Sequence, residues 1–407
     1  MIVLAGGDLV LPDGMLAGAS LLVDGSVVAD IDPRPRIEPA AATIVDASNC
    51  YVVPGFVDVH VHGVDGHDTL DGEGAVSRIA ARLPRYGVTA FGPTTVACAP
   101  GELRDFLAQV RGARLEHPPG TARVLPAHLE SNFINAAFCG AQPLTCLRSP
   151  ADALRRRGAD VTAATDVSVF AAQEILAAIA ASADNVGIVT LAPELPGGLE
   201  LARELAAAGH RVSLGHSGAD FDVALAAIEA GARHATHLFN RMPPLGHRSP
   251  GLAGAVLARE EITAELICDG FHVHPAMSRL AIVAKGVHRM MAVTDGTGGS
   301  GLPVGSAARL GGRPIHVREQ AVFLEDGTLA GSTLTMDGAF RNIVGRFGFS
   351  VRDAARLCAT TPASQMGLKG RGAIAAGAYA DLVVLDRSFR VQYTLVDGVE
   401  AYRAPSA

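Results

Sequence analysis

The sequence predicts an α/β protein, a (β/α)8 TIM-type barrel carrying a small β-sandwich domain built from both termini. Two observations predict it. Eight short apolar, strand-like runs recur through the middle of the chain, most followed by an alanine-rich stretch long enough for a helix. Tight-turn hairpin signals occupy both ends. Strands alternating with helices argue for a parallel sheet, and eight such units close a barrel. The expected boundaries are residues 1–53 with 368–407 for the small domain and 54–367 for the barrel.

In chain order, residues 21–23 and 26–29 read as a hairpin over Asp24-Gly25, a pair that tolerates the positive φ of a type I′ turn. The eight runs are 51–59, 88–92, 123–127, 186–192, 211–215, 235–239, 263–268 and 290–294. Alanine-rich stretches such as 171–183 read as helices packed on the barrel. The segment 143–166 breaks the rhythm, with Arg148, Arg155, Arg156 and Arg157 and no clear strand. It reads as an elaborated loop with a short helix near 151–157. Residues 380–385 then form a strand, and 393–400 fold over Asp397-Gly398.

Composition bounds the function. Apolar residues make up 49% of the 407 and charged residues 18%, enough for a sizeable core and against wholesale disorder. The charge sum, 34 − 41 = −7, supports neither a general nucleic-acid binder nor a polybasic membrane anchor. Mean hydropathy is +0.27, yet no apolar run reaches the roughly 18 residues a spanning helix needs. Met1-Ile2-Val3-Leu4 has no basic region of the secretory kind. Six scattered cysteines suit a reduced, cytoplasmic protein better than a disulfide scaffold.

The polar residues at the ends of these runs carry the chemistry. The runs end in His60 and His62, Thr94 and Thr95, Glu130, Glu194, His216, His237, Asp269 and Asp295. Barrel active sites lie at the C-terminal ends of the strands, so most of these side chains converge on one mouth. Residues i and i+2 of a strand share a side, so His60 and His62 can hold one metal. Alone, His-x-His is a cheap pattern, equally at home as two polar residues leaving a strand. Glu130, His216, His237 and Asp295 complete the His/carboxylate set of a catalytic Zn²⁺ or Fe²⁺ site. Asp295, a single carboxylate at the end of the last strand, is the natural proton shuttle.

These residues stand in recognisable motifs: 54–63 (PGFVDVHVHG), His128-Leu129-Glu130 with Phe133-Ile134-Asn135, and Ala192-Pro193-Glu194. Gly215-His216-Ser217, Thr236-His237-Leu238-Phe239-Asn240 and Arg248-Ser249-Pro250-Gly251 come next. Last are 269–275 (DGFHVHP), Thr294-Asp295-Gly296 and 329–336 (LAGSTLTM). In that order they resemble, over essentially the whole chain, the N-acetylglucosamine-6-phosphate deacetylase family of the amidohydrolase superfamily. The resemblance implies that Glu130, His216 and His237 bind the principal metal. His60 and His62 would supply a second site with Glu130 bridging, and Asp295 would stand with the ligands as general base and acid. One or two divalent ions per subunit are implied, Zn²⁺ first, with Fe²⁺, Co²⁺ and Mn²⁺ as alternatives. Asn240, Arg248 and His272 fall where the family grips a sugar phosphate, often in a pocket completed across a homodimer. Ala141, Gln142, Arg241, Leu329 and Ala330 fall around the sugar and its acyl group. The implied reaction is deacetylation of an amino-sugar phosphate, N-acetylglucosamine 6-phosphate foremost. A galactosamine phosphate or an unphosphorylated N-acyl sugar is the alternative.

The chain also departs from the family pattern. Ser131-Asn132 replace Gly-Pro after the glutamate, Gln142 replaces a histidine, and Arg241 replaces a small residue. A cyclic amidase would bridge its metals with a strand-end lysine, which this chain lacks, and a non-catalytic scaffold would be expected to lose the ligands it keeps. Residues 296–301 resemble a phosphate loop without its Lys-Ser/Thr ending and read as a flexible loop. Cys139 and Cys146 read as inert, His274 as structural, and Glu194 as a loop cap or a support behind the site rather than a catalytic group.

Overall fold

The computed structural model describes residues 1–34, 42–155 and 170–405. Its eight barrel strands are Phe56–Val61, Val88–Thr95, Ala127–Glu130, Val186–Leu191, Arg211–Leu214, His234–Ala235, Thr263–Ile267 and Met290–Val293. Each pairs in parallel with the next. The ring closes where Val61 bridges Gly296 and the N–H groups of His62 and Gly63 reach the Gly296 carbonyl at 2.8 and 2.9 Å. The expected barrel is the fold found, and a helix follows each strand, from Ala75–Arg82 after the first to Met336–Gly345 after the last. Helix Ala172–Ala181 shows why alanine recurs: Ala172, Ile175, Ala178 and Ile179 form one buried stripe on the barrel wall. Among the described residues no helix is long and apolar enough to cross a membrane.

Three details differ from the expectation. The first run splits: Tyr51–Pro54 joins the terminal sheet and Phe56–Val61 the barrel, broken at Gly55, where a Cβ would lie 2.3 Å from the Thr89 side chain. The third strand shifts later. Arg123–Val124 pairs with Ala90 and Phe91, Pro126 two residues on has no N–H to give, and Ala127–Glu130 then pairs with both neighbours. The first hairpin turns over Gly25-Ser26, since Asp24 already pairs with Val27, and of these only Gly25 has positive φ. That is not the type I′ geometry, whereas Asp397 and Gly398, at φ 49° and 74°, have its two positive φ values.

The terminal strands form one eight-stranded sheet, in which Leu382–Leu385 lies beside Tyr51–Pro54 and joins the two ends of the chain. Side chains alternate along these strands. Val52, Leu382 and Val384 enter the small domain's own core, while Val53, Val383 and Leu385 enter the core of the barrel. The period of two therefore makes the sheet a two-sided layer that seats the domain. In the irregular segment, the helix is Pro150–Leu154, and the expected extension to Arg156 and Arg157 lies outside the described residues.

An element not anticipated from the sequence comes after the eighth strand. Ala307–Leu310, Arg313–Val317, Ala321–Leu324 and Leu329–Ser332 form an antiparallel sheet beside the mouth, with Ile315, Val317, Val322 and Ala330 in its core. The glycine-rich stretch before it is not a flexible loop. Residues 296–300 are buried, and a Cβ on Gly299 would lie 2.5 Å from Val322, so glycine lets the two backbones approach.

Candidate active site

The strand ends place six metal-binding candidates around one point. His60 and His62 leave the first strand, Glu130 ends the third, and His216, His237 and Asp295 come after the fifth, sixth and eighth. The last three have positive φ (48°, 28° and 47°), a conformation that non-glycine residues adopt at a cost and that recurs where function demands an aimed side chain. All six are buried.

The atoms form two sets. His216 Nε2 and His237 Nε2 each lie 2.9 Å from Glu130 Oε1 and 3.0 Å from one another. His60 Nε2 and His62 Nε2 lie 3.2 Å apart, and 3.3 and 3.4 Å from Asp295 Oδ1. The other oxygen of Glu130 is 3.5 Å from His62 Nε2, so this carboxylate faces both sets. His216 donates Nδ1–H to the Phe138 carbonyl at 2.9 Å, and His60 donates Nδ1–H to Glu265 at 2.8 Å. A neutral imidazole has one N–H. With Nδ1–H used on the far side, Nε2 of each is the atom turned to the centre. Imidazole nitrogens and carboxylates converging in this way are the donor types that can hold a divalent cation.

The electrostatics agree. Burial opposes ionisation of Glu130, yet the imidazoles of His216, His237 and His62 overcome it and hold its carboxyl well below the usual range. Burial likewise works against charge on His60, but Glu265 and Asp295 outweigh it and raise its pKa to about 10, so without an ion the ring holds a proton at Nε2 that a bound cation would displace. His128, deeper in the barrel, is pushed down to about 3 by burial and by His60, and so stays neutral. Burial lifts Asp58 to about 7 even though Thr294 Oγ1 donates to it at 2.6 Å.

Above this floor lies a cavity of about 390 Å³. Of the expected substrate residues, Ala141, Gln142, Asn240, Arg241, His272, Leu329 and Ala330 line it, joined by Phe138 and Leu310. Arg248 does not; it stands exposed on the loop after Arg241. Gln142 donates to Glu130 Oε2 and accepts the Ala97 N–H at 2.7 Å, so it holds the carboxylate from the side. Arg241, at φ 52°, lies against Gly140, where a Cβ would meet its Nε at 2.5 Å. His272 donates Nδ1–H to Asp269 at 2.6 Å, which fixes its ring at the cavity wall. The Ser131-Asn132 departure serves the loop: Asn132 Nδ2 donates to the carbonyls of Cys98 and Cys146, both at 2.8 Å. Arg313 of the added sheet donates to the Ala141 carbonyl and secures the same wall.

Glu194 and His274 are structural. Glu194 accepts from Asn135, Ser217 and the Gly218 N–H, tying adjacent strand ends, and His274 accepts the Ala276 N–H at the start of helix Pro275–Lys285. Sequence reasoning missed Glu265, fully buried in the seventh strand. Its signal was a lone charge inside an otherwise apolar run.

With this geometry in hand, comparison with known proteins gives consistent matches. Residues 51–401 match the Amidohydrolase family. The chain is 33% identical to an N-acetylglucosamine-6-phosphate deacetylase of Bacillus subtilis (strain 168), covering 94% of this chain and 92% of that one. It is also 33% identical to an N-acetylgalactosamine-6-phosphate deacetylase of Escherichia coli O157:H7, with 96% of each covered. Among solved structures, the N-acetylglucosamine-6-phosphate deacetylase of Thermotoga maritima matches with a TM-score of 0.82 at 29% identity, over 99% of this chain and 100% of that one. A mutant of the Mycobacterium smegmatis enzyme in complex with N-acetyl-D-glucosamine-6-phosphate matches at 0.84 and 30% identity, over 98% and 99%.

Proposed function

Because the chain belongs to the amidohydrolase family, we propose that it hydrolyses the N-acetyl amide of an amino-sugar 6-phosphate. The substrate we assign is N-acetylglucosamine 6-phosphate, and the products are glucosamine 6-phosphate and acetate. The observation that carries this reading is the pair of donor sets, His60/His62/Asp295 and Glu130/His216/His237, at the floor of a sugar-sized cavity. Zn²⁺ is the ion we assign to them, one or two per chain. It supplies Lewis acidity to an amide carbonyl and to a water molecule.

The residues do the rest. Asp295 has its carboxylate among the ligands and its residue on the cavity wall. Burial raises its pKa, but the His60 charge together with the hydrogen bond and charge of His62 brings it below the usual carboxylate value, so it is an ionised base. Asp295 takes a proton as water oxygen attacks the carbonyl carbon, and returns it to the nitrogen as the C–N bond breaks. Acetate and a free amine result. Leu310, Leu329 and Ala330 form the apolar wall for the acetyl methyl, while Asn240 and Arg241 offer donors to the phosphate and His272 shapes the wall beside them.

Arg248, exposed beyond the cavity, supports a homodimer in the same reading, because its planar fork is free to reach a phosphate held by a second copy. The six cysteines are free, which suits a cytoplasmic setting. N-acetylgalactosamine 6-phosphate is the second reading, favoured by the equal identity to the Escherichia coli relative. The test is acetate release from N-acetylglucosamine 6-phosphate before and after chelation. Activity lost with the metal and restored by Zn²⁺ is expected; activity indifferent to chelation would refute the assignment.

A further inference from the structure

We infer that Glu265 is the positioning residue of the metal centre, and that it secures the ion held by His60, His62 and Asp295. This rests on the reading of two donor sets under the proposed function. Glu265 is fully buried and surrounded by donors. Oε2 accepts Nδ1–H of His60 at 2.8 Å and the backbone N–H of His237 at 3.1 Å, and Oε1 accepts from His234 Nε2 at 2.8 Å. A carboxylate in a barrel interior is costly unless its partners are held in place. Here the partners are one ligand from each set and His234 beneath them.

The four ligand imidazoles show why this matters. His216 is oriented by the Phe138 carbonyl, independently of Glu265. The Nδ1 atoms of His62 and His237 are buried without a partner among the described residues. His60 depends on Glu265 for its ring orientation and for the Nδ1–H that leaves Nε2 to the ion. His237 depends on it through its backbone, which sits at the left-handed φ of 28°. Removing the negative charge thus strikes hardest at the set containing His60, whereas Glu130, His216 and Gln142 still hold the other. A carboxylate behind a ligating histidine also makes the imidazole a stronger donor, and losing it typically weakens metal binding 10- to 100-fold.

The experiment is metal titration of apo wild type and Glu265→Gln, read as stoichiometry and affinity by calorimetry and elemental analysis. Wild type should bind two Zn²⁺ per chain. Glu265→Gln should keep the tight ion and bind the second at least tenfold more weakly. Two ions bound with wild-type affinities would overturn the inference while leaving the proposed function standing. A wild type that binds no metal would sink the proposed function itself, and a wild type with one ion would leave Glu265 nothing to secure and overturn the inference alone. Should the variant not fold, ¹⁵N-histidine NMR of the wild type decides. His60 protonated at Nδ1 supports the inference, and His60 bare at Nδ1 overturns it.

Discussion

Asp295 carries the chemistry at a backbone angle few aspartates adopt, φ 47°, within 3.4 Å of both His60 and His62. Asp295→Asn keeps the size and one oxygen but cannot take a proton. Turnover should fall by at least about 100-fold while the Zn²⁺ held by Glu130, His216 and His237, measured after gel filtration, stays bound. Every candidate ligand was legible in the sequence, because each sits where an apolar run ends and a polar side chain begins. Glu265 was less so. Its partners His60 and His234 lie 205 and 31 positions away, and only the closed barrel brings them together. Gln142 was read as a sugar contact, and the structure adds that it braces Glu130. A sequence shows a residue type, not which neighbour it spends its hydrogen bonds on.

At the scale of elements, helix Gly251–Ala258 ends against another helix, and Lys285 of Pro275–Lys285 donates to the carbonyls of Val256 and Arg259 there. Burial, with Arg289 nearby, lowers the Lys285 pKa from 10.5 to about 8. Between those values the unfolded chain binds more protons than the folded one, so stability rises with pH through that window. Urea unfolding at pH 8 and pH 10 should show wild type gaining stability relative to Lys285→Met, which lacks the titrating group. The barrel was legible from the recurrence of its units, short apolar runs alternating with helix-length stretches and ending in polar residues, and not from the length of any one strand. The sheet of residues 307–332 was not. Its strands are four or five residues long, too short for a clear alternation, and its core is completed by Val96 from another loop. Glycines such as Gly299 looked like freedom in the sequence, but they serve close packing against that sheet.

The whole molecule is held together at the base of the barrel by charge as well as by the two-sided terminal sheet. Arg371, nearly buried, bridges Asp381 and Asp397 of the small domain, and Asp397 also takes Arg123 from the barrel. Arg371→Met would strand the Asp381 carboxylate and leave Asp397 to Arg123 alone, and should cost about 3 kcal/mol in denaturant unfolding, with kcat and KM unchanged. That separates the frame from the site, since no residue of this network lines the cavity. The function proposed for the site is a metal-dependent amide hydrolysis aimed by a phosphate. Its sharpest test is kcat/KM of the Zn²⁺-loaded protein on N-acetylglucosamine 6-phosphate and on N-acetylglucosamine, side by side. Loss of a charge-assisted phosphate contact is worth about 1.5–3 kcal/mol per hydrogen bond, so a preference for the phosphate of at least about 100-fold is predicted. Equal rates on the two sugars, or no acetate from either with metal bound, would contradict the assignment.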